Sequence, residues 1–84
     1  MAKYSPLTGF LQRQSDAKDT IHMSFQRLEE IIGSPLPPSA HYDRTWWGNT
    51  LSQTRVQAHA WLNASWRVES VDLSRKVVTF VRSV

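Results

Sequence analysis

The stretch that decides the fold is Trp66-Arg67-Val68-Glu69-Ser70-Val71-Asp72-Leu73-Ser74-Arg75-Lys76-Val77-Val78-Thr79-Phe80-Val81-Arg82. Its beginning alternates roughly between apolar and polar side chains, and its end is rich in valine, which favours strands. Between the two parts, Asp72-Leu73-Ser74-Arg75 has the chemistry of a turn, since Asp72 and Ser74 are typical turn residues. The pattern predicts a β-hairpin with strands at about 66–71 and 76–82.

Upstream of the hairpin, the sequence predicts one short strand and several helices. A strand at 20–23 is expected because these residues begin with β-branched side chains and alternate loosely. Ser5-Pro6 has the character of a helix start, and Ser24 and Gly33 have the character of the start and end of a second helix. The expected helices span about residues 5–14, 24–33, 39–47 and 52–64.

This order of elements predicts an α+β protein with a fold like a winged helix-turn-helix. In such a fold the helices form the core, the short first strand pairs with the hairpin, and the hairpin loop is the wing. About nineteen residues separate Gly33 from Gln53, whereas a minimal helix-turn-helix uses three or four. We therefore expect an inserted short helix within a single domain formed by residues 1–84.

The composition limits the kind of protein this is. The 84 residues include four tryptophans and no cysteine, so the core is expected to be aromatic, and disulfides and thiolate metal sites are excluded. The first residues lack the apolar stretch of a signal peptide, and no run approaches the length of a membrane span. These features predict a cytoplasmic protein without a membrane contact.

The run Arg44-Thr45-Trp46-Trp47-Gly48-Asn49 contains half of the tryptophans. Adjacent residues point in different directions on a helix or a strand, so we expect one indole in the core and the other exposed. An exposed indole would stack on bases or fill a protein interface, and Arg44 and Asn49 have side chains suited to base edges. Alternatively, the two indoles fill a small core from two sides.

Positive charge is concentrated in the second half of the chain. Residues 1–43 carry four cationic and five anionic side chains, a net charge of −1, whereas residues 44–84 carry six and two, a net charge of +4. This asymmetry favours a surface that faces a polyanion, although each basic residue taken alone is explained by ordinary solvation.

These observations predict a non-catalytic DNA-binding protein, a regulator or accessory factor that presents a polar helix face and a basic wing to double-stranded DNA. The predicted nucleic-acid-binding residues are Arg44, Trp47, Asn49, Gln53, Arg55, His59, Arg67, Arg75, Lys76 and Arg82. The alternative is a protein-interaction module, such as a small inhibitor or adaptor, that docks on a protein partner through the exposed tryptophan and the proline-rich turn at 34–38. Association of two copies into a homodimer through the tryptophan face is a version of this alternative.

Catalytic patterns are absent from the sequence. The histidines, at positions 22, 41 and 59, fall in different predicted elements, and the three glycines are isolated rather than grouped in a phosphate-binding loop. The adjacent carboxylates of Glu29 and Glu30 diverge on a helix. We therefore expect no enzymatic activity, no metal and no cofactor.

Four short motifs together resemble a family of small bacterial or phage domains of uncharacterised function. They are Tyr4-Ser5-Pro6-Leu7, Leu36-Pro37-Pro38-Ser39-Ala40, Trp46-Trp47-Gly48-Asn49 and Trp66-Arg67-Val68. The resemblance covers nearly the whole chain, but it implies no established activity. The family pattern has a glycine where this chain has Ser65, so the sequence does not favour a left-handed helix cap at that position.

Overall fold

The computed structural model describes residues 3–49 and 56–83. The chain forms four α-helices, one 3-10 helix and three β-strands within these residues. In chain order they are α1 (Ser5–Gln12), β1 (Thr20–Ser24), α2 (Phe25–Ile32), α3 (Pro38–Tyr42), the 3-10 helix (Arg44–Trp47), α4 (Val56–Leu62), β2 (Trp66–Asp72) and β3 (Val77–Arg82).

The α+β class is confirmed, and the three strands form one antiparallel sheet in the order β1-β3-β2. The short first strand therefore pairs with the last strand of the hairpin, as expected. A bulge between Val68 and Ser70 shifts the register of β2 against β3. The bulge places Ser70 and Glu69 both on exposed positions, so β2 departs from strict alternation at that point.

Local sequence signals explain how α2 begins and ends. The Ser24 hydroxyl accepts a hydrogen bond from the Arg27 backbone N–H at 3.0 Å and so caps the first turn. Gly33 ends the helix in the left-handed conformation, with φ of 75°, and its N–H donates to the Glu29 carbonyl. The helix delivers Phe25, Leu28 and Ile32 to the core on one face.

One face of the sheet and the apolar sides of the helices enclose an aromatic core. Val78 and Phe80 of β3 are fully buried there, whereas alternate positions on β1 and β2 remain exposed. The Trp47 ring lies stacked between the rings of Phe25, 5.0 Å away, and Trp61, 6.0 Å away. Large rings thus supply much of the buried area of a short chain.

The predicted helix at 39–47 is wrong as a single element. The backbone leaves helical geometry at Asp43, where φ is −123°, and the segment divides into α3 and the 3-10 helix. The Asp43 carboxylate accepts a hydrogen bond from the Thr45 N–H at 2.9 Å, which begins the second helix at this residue. The inserted helical segment expected between Gly33 and Gln53 is therefore present, but in two pieces.

Other boundaries differ by a few residues. α1 ends at Gln12, earlier than expected, and α4 ends at Leu62. The expected start of the last helix, at 52–55, lies outside the described residues. Ser65 adopts φ of 66°, so the left-handed conformation that a glycine would favour occurs here with a serine. Within residues 3–49 and 56–83, no helix has the length and apolar character needed to cross a membrane.

Candidate nucleic-acid interface

Both tryptophans of the pair are buried, so the expectation of one exposed indole is wrong. Trp46 is 9% exposed and Trp47 is 2% exposed. Trp46 packs edge-on against Tyr4, while the Trp47 indole N–H donates to the Ala40 carbonyl at 2.9 Å. Both indoles belong to the core, so the structure supports the alternative interpretation, in which the pair fills the core. Trp47 is therefore unable to stack on a base.

Asn49 acts as a substitute for a neighbouring strand at the free edge of β2. Its Nδ2 donates to the Val68 carbonyl at 2.8 Å, and its Oδ1 accepts from the Val68 N–H at 2.9 Å. The same Oδ1 accepts from the Trp61 indole N–H at 3.0 Å. These contacts assign the amide a structural role, because both its oxygen and its nitrogen are engaged within the fold.

Arg44 also contacts this edge. Its Nη1 donates to the Val71 carbonyl, three residues beyond the carbonyl that Asn49 binds. The residue is nevertheless exposed, and a guanidinium carries five N–H donors, so donors remain for a ligand. Arg44 thus joins the 3-10 helix to the hairpin while keeping its charge at the surface.

An exposed aromatic ring lies with three cations where the hairpin turns. Tyr42 is 81% exposed, and the Lys76 Nζ lies 5.5 Å from the centre of its ring and 3.4 Å from the His41 carbonyl. Arg75 precedes Lys76 in the turn, and its side chain is 84% exposed. We call this group, formed by Tyr42, Arg44, Arg75 and Lys76, the hairpin-end surface.

Backbone geometry holds the cations of the turn in place. Lys76 adopts φ of 59°, which directs the chain back into β3, and its carbonyl accepts the Phe25 N–H at 2.8 Å. The Asp72 carboxylate accepts the Arg75 backbone N–H at 3.0 Å, and its other oxygen lies 3.9 Å from the Arg75 Nε. At such exposure this ion pair is weak, so Arg75 remains available to a stronger anion.

Sequence reasoning did not identify Tyr42. Its exposure follows from helix geometry, since Ala40 is fully buried and a residue two positions later points about 200° away on the same helix. The buried side of such a short helix could not be assigned from sequence, because a helix of five residues has no readable periodicity.

The other predicted residues that the structure describes do not form one continuous belt with the hairpin-end surface. Arg82 lies at the opposite end of β3, where its guanidinium stacks 4.5 Å from the Trp66 ring and donates to the carbonyls of Ser15 and Lys18 at 2.8 Å. Arg67 is exposed on the outer face of β2, and His59 lines a small cavity of about 100 Å³ with Tyr4 and Thr8. Gln53 and Arg55 lie outside the described residues.

The described part of α4 presents little polar surface. Gln57 is 6% exposed, and its Nε2 donates to the Trp46 carbonyl at 2.9 Å. Val56 is exposed but apolar, and His59 is half-buried. The expected polar strip along this helix is therefore reduced to a few positions within residues 56–62.

The proline-rich turn is attached to the core. The Leu36 side chain is buried, and its N–H donates to the Glu29 carboxylate at 2.7 Å. With both tryptophans interior, the protein-docking alternative loses the exposed ring on which it depended.

The one pKa shift and the metal-binding potential of the described residues do not add to the hairpin-end surface. Burial raises the pKa of the Tyr4 hydroxyl above its ordinary value of 10.0, and this residue packs against Trp46 rather than lying in the hairpin-end surface. Within residues 3–49 and 56–83, no three His, Asp or Glu side chains are grouped so as to hold a metal ion.

Comparisons with known proteins identify a family without an assigned activity. No curated protein and no solved structure matches the chain significantly. The sequence profile of the family described as "Domain of unknown function (DUF7662)" matches residues 4–83, so the chain belongs to that uncharacterised family, in agreement with the resemblance of its motifs.

Proposed function

We propose that this domain is a small non-catalytic DNA-binding protein, a regulator or accessory factor, that contacts DNA through the hairpin-end surface. The observation that carries the proposal is the position of Tyr42, whose ring is 81% exposed with the Lys76 ammonium 5.5 Å from its centre. A ring with a cation beside it offers a deoxyribose of the duplex backbone a packing surface and offers the adjacent phosphate a counter-charge.

The topology supports a winged-helix version of this function. The first strand lies between the first two helices in sequence, and the sheet order β1-β3-β2 pairs it with the last strand of the hairpin. In a winged helix the hairpin turn is the wing, and here that turn carries Arg75 and Lys76. The wing would then supply more of the DNA contacts than α4, because the Gln57 side chain of α4 points into the core and binds the Trp46 carbonyl.

The chemistry of the surface favours phosphate contacts over base recognition. Arg44 and Arg75 offer guanidinium groups, which bind phosphate oxygens in a bidentate manner, and Lys76 offers a point charge. Asn49, the residue best suited to reading adenine, is occupied by Val68 and Trp61. We therefore expect weak sequence preference and binding that depends strongly on salt.

The test is fluorescence anisotropy with a labelled DNA duplex at low salt. Replacing Arg75 and Lys76 together by alanine should remove most of the binding, because both cations of the turn are lost. The matched control is Lys18→Ala, which removes a cation from an exposed position between α1 and β1 and should leave binding nearly unchanged.

Circular dichroism of each variant checks that the fold persists. Absence of duplex binding by the wild-type protein at low salt would end the proposal. Equal binding by the double variant and the wild type would show that the contact lies elsewhere.

A further inference from the structure

A groove between α1 and α2 lies outside the hairpin-end surface and shares no residue with it. It is open to solvent along one side and has a volume of about 580 Å³. Its walls combine the apolar side chains of Phe10 and Ile31 with the guanidinium groups of Arg13 and Arg27. This combination of apolar surface and two cations suits a ligand that is itself both apolar and anionic.

Gly9 lies inside α1 and lines this groove. A glycine in a helix interior lowers stability relative to alanine, so its presence calls for a reason. A Cβ built on Gly9 would meet only one neighbouring atom, the Arg13 Nη1 at 3.2 Å, which is the end of a flexible side chain. Packing within the described chain therefore does not require a glycine here, whereas close approach of a ligand to the helix backbone would.

The cations of the groove are available to an anion. The Arg13 guanidinium has no hydrogen-bond or ion-pair partner among residues 3–49 and 56–83. Arg27 pairs with Glu30 at 3.3 Å, but both side chains are more than half exposed, and such a pair contributes little. The Arg27 guanidinium also lies 5.9 Å from the Phe10 ring, so charge and apolar surface are adjacent.

We propose that the groove binds an acidic, amphipathic peptide segment of a partner protein. Its carboxylates would contact Arg13 and Arg27, its apolar side chains would pack on Phe10 and Ile31, and its backbone would approach α1 at Gly9. A nucleic acid fits the groove less well, because two cations on an apolar floor offer few phosphate contacts. The groove thus serves a different class of partner from the hairpin-end surface.

The test is a titration of ¹⁵N-labelled protein with a defined probe, followed by NMR. The probe is a short amphipathic peptide with leucine and phenylalanine on one side and glutamate beside them. The expected result is a shift of the Gly9 amide and the Arg13 Nε resonances, with fast exchange and weak affinity. The same peptide with glutamine in place of glutamate should have an affinity at least about tenfold lower, because the charge-assisted hydrogen bonds are lost.

Two variants and one control of equal charge change separate binding from folding. Arg13→Gln should weaken the peptide about tenfold, whereas Lys18→Gln, an equal change of charge in the loop that follows α1, should not. Gly9→Ala should weaken the peptide while raising the melting temperature, a combination that damage to the fold would not produce.

Three results would overturn the proposal. They are no shift at Gly9 or Arg13 at millimolar peptide, equal binding of the glutamate and glutamine peptides, or stronger shifts of the same resonances by an oligonucleotide. The Arg75 and Lys76 double alanine variant should bind the peptide normally, so loss of DNA binding and loss of peptide binding are independent outcomes.

Discussion

Replacing Asn49 by alanine tests whether a side chain protects the edge of the sheet. The substitution removes three hydrogen bonds of 2.8, 2.9 and 3.0 Å and leaves the Val68 N–H, the Val68 carbonyl and the Trp61 indole N–H without their partner. Trp61 is 1% exposed and Val68 is 8% exposed, so water does not readily replace the amide at every group.

The expected loss follows from these contacts. A hydrogen bond contributes about 1 kcal/mol net, and a buried group left unpaired costs about 1 to 3 kcal/mol. Because Asn49 itself is exposed and water reaches part of the edge, we expect a loss of about 2 to 4 kcal/mol in the free energy of unfolding. For a domain of 84 residues with a total stability of roughly 4 to 13 kcal/mol, that is a large fraction.

Urea denaturation followed by tryptophan fluorescence measures this loss. Asn63→Ala is the matched control, since Asn63 is exposed and its side chain has no hydrogen bond within the described residues; it should change stability by less than about 0.5 kcal/mol. Asn49→Asp should fall between the two, because its carboxylate still accepts from Val68 and Trp61 but repels the Val68 carbonyl. An Asn49→Ala variant as stable as the control would refute the edge role.

Three further predictions concern backbone conformation and ionisation. Ser65→Gly should raise the free energy of unfolding by about 1 kcal/mol in chemical denaturation, because Ser65 adopts φ of 66°, a region that glycine enters without strain. Gly9→Ala should also stabilise the protein, by roughly 0.5 to 1 kcal/mol in thermal melts, through helix propensity; a loss of stability would mean that the Arg13 side chain does not move aside. Because burial raises the pKa of Tyr4 above 10.0, the unfolded chain releases this proton first, so the contribution of Tyr4 to stability should be constant below about pH 10 and should be lost as the pH rises above it. Tyr4→Phe should remove that part of the alkaline loss, and an unchanged pH profile would argue against the burial.

The α+β class and several of its elements could be predicted from local signals. The valine-rich end of the hairpin, the Ser24 cap and the Gly33 terminus each specify structure through neighbouring residues, and each lies where the sequence predicted. The break at Asp43 was missed because Ser39 and the residues after it are compatible with a continuous helix. Its cause is a carboxylate that binds the Thr45 N–H, and that contact competes with helix continuation.

The tryptophan pair was misread for a different reason. Sequence periodicity places one of two adjacent side chains in the core and the other at the surface. This placement assumes that a helix or strand buries only one of its faces. In the 3-10 helix, Trp47 instead packs against Phe25 and Trp61 while Trp46 packs against Tyr4, and only tertiary structure reveals this.

The candidate site was predicted in part. Arg75 and Lys76 were assigned to the wing from sequence, and Lys76 contacts the exposed Tyr42 that sequence reasoning did not identify. Arg82 was counted with them, but antiparallel pairing places it beside Trp66, at the end of β3 away from the turn. Counting residues therefore gives the net charge of the second half of the chain, whereas the register of the sheet determines which charged side chains lie close together.

The most direct test of DNA binding at the hairpin end is the salt dependence of duplex affinity. With Arg44, Arg75 and Lys76 in contact with phosphates, a plot of log affinity against log salt concentration should have a slope of up to about −3, and replacing Arg75 and Lys76 by alanine should reduce that slope by about two. A wild-type slope near zero, or a slope that the double variant leaves unchanged, would contradict the account.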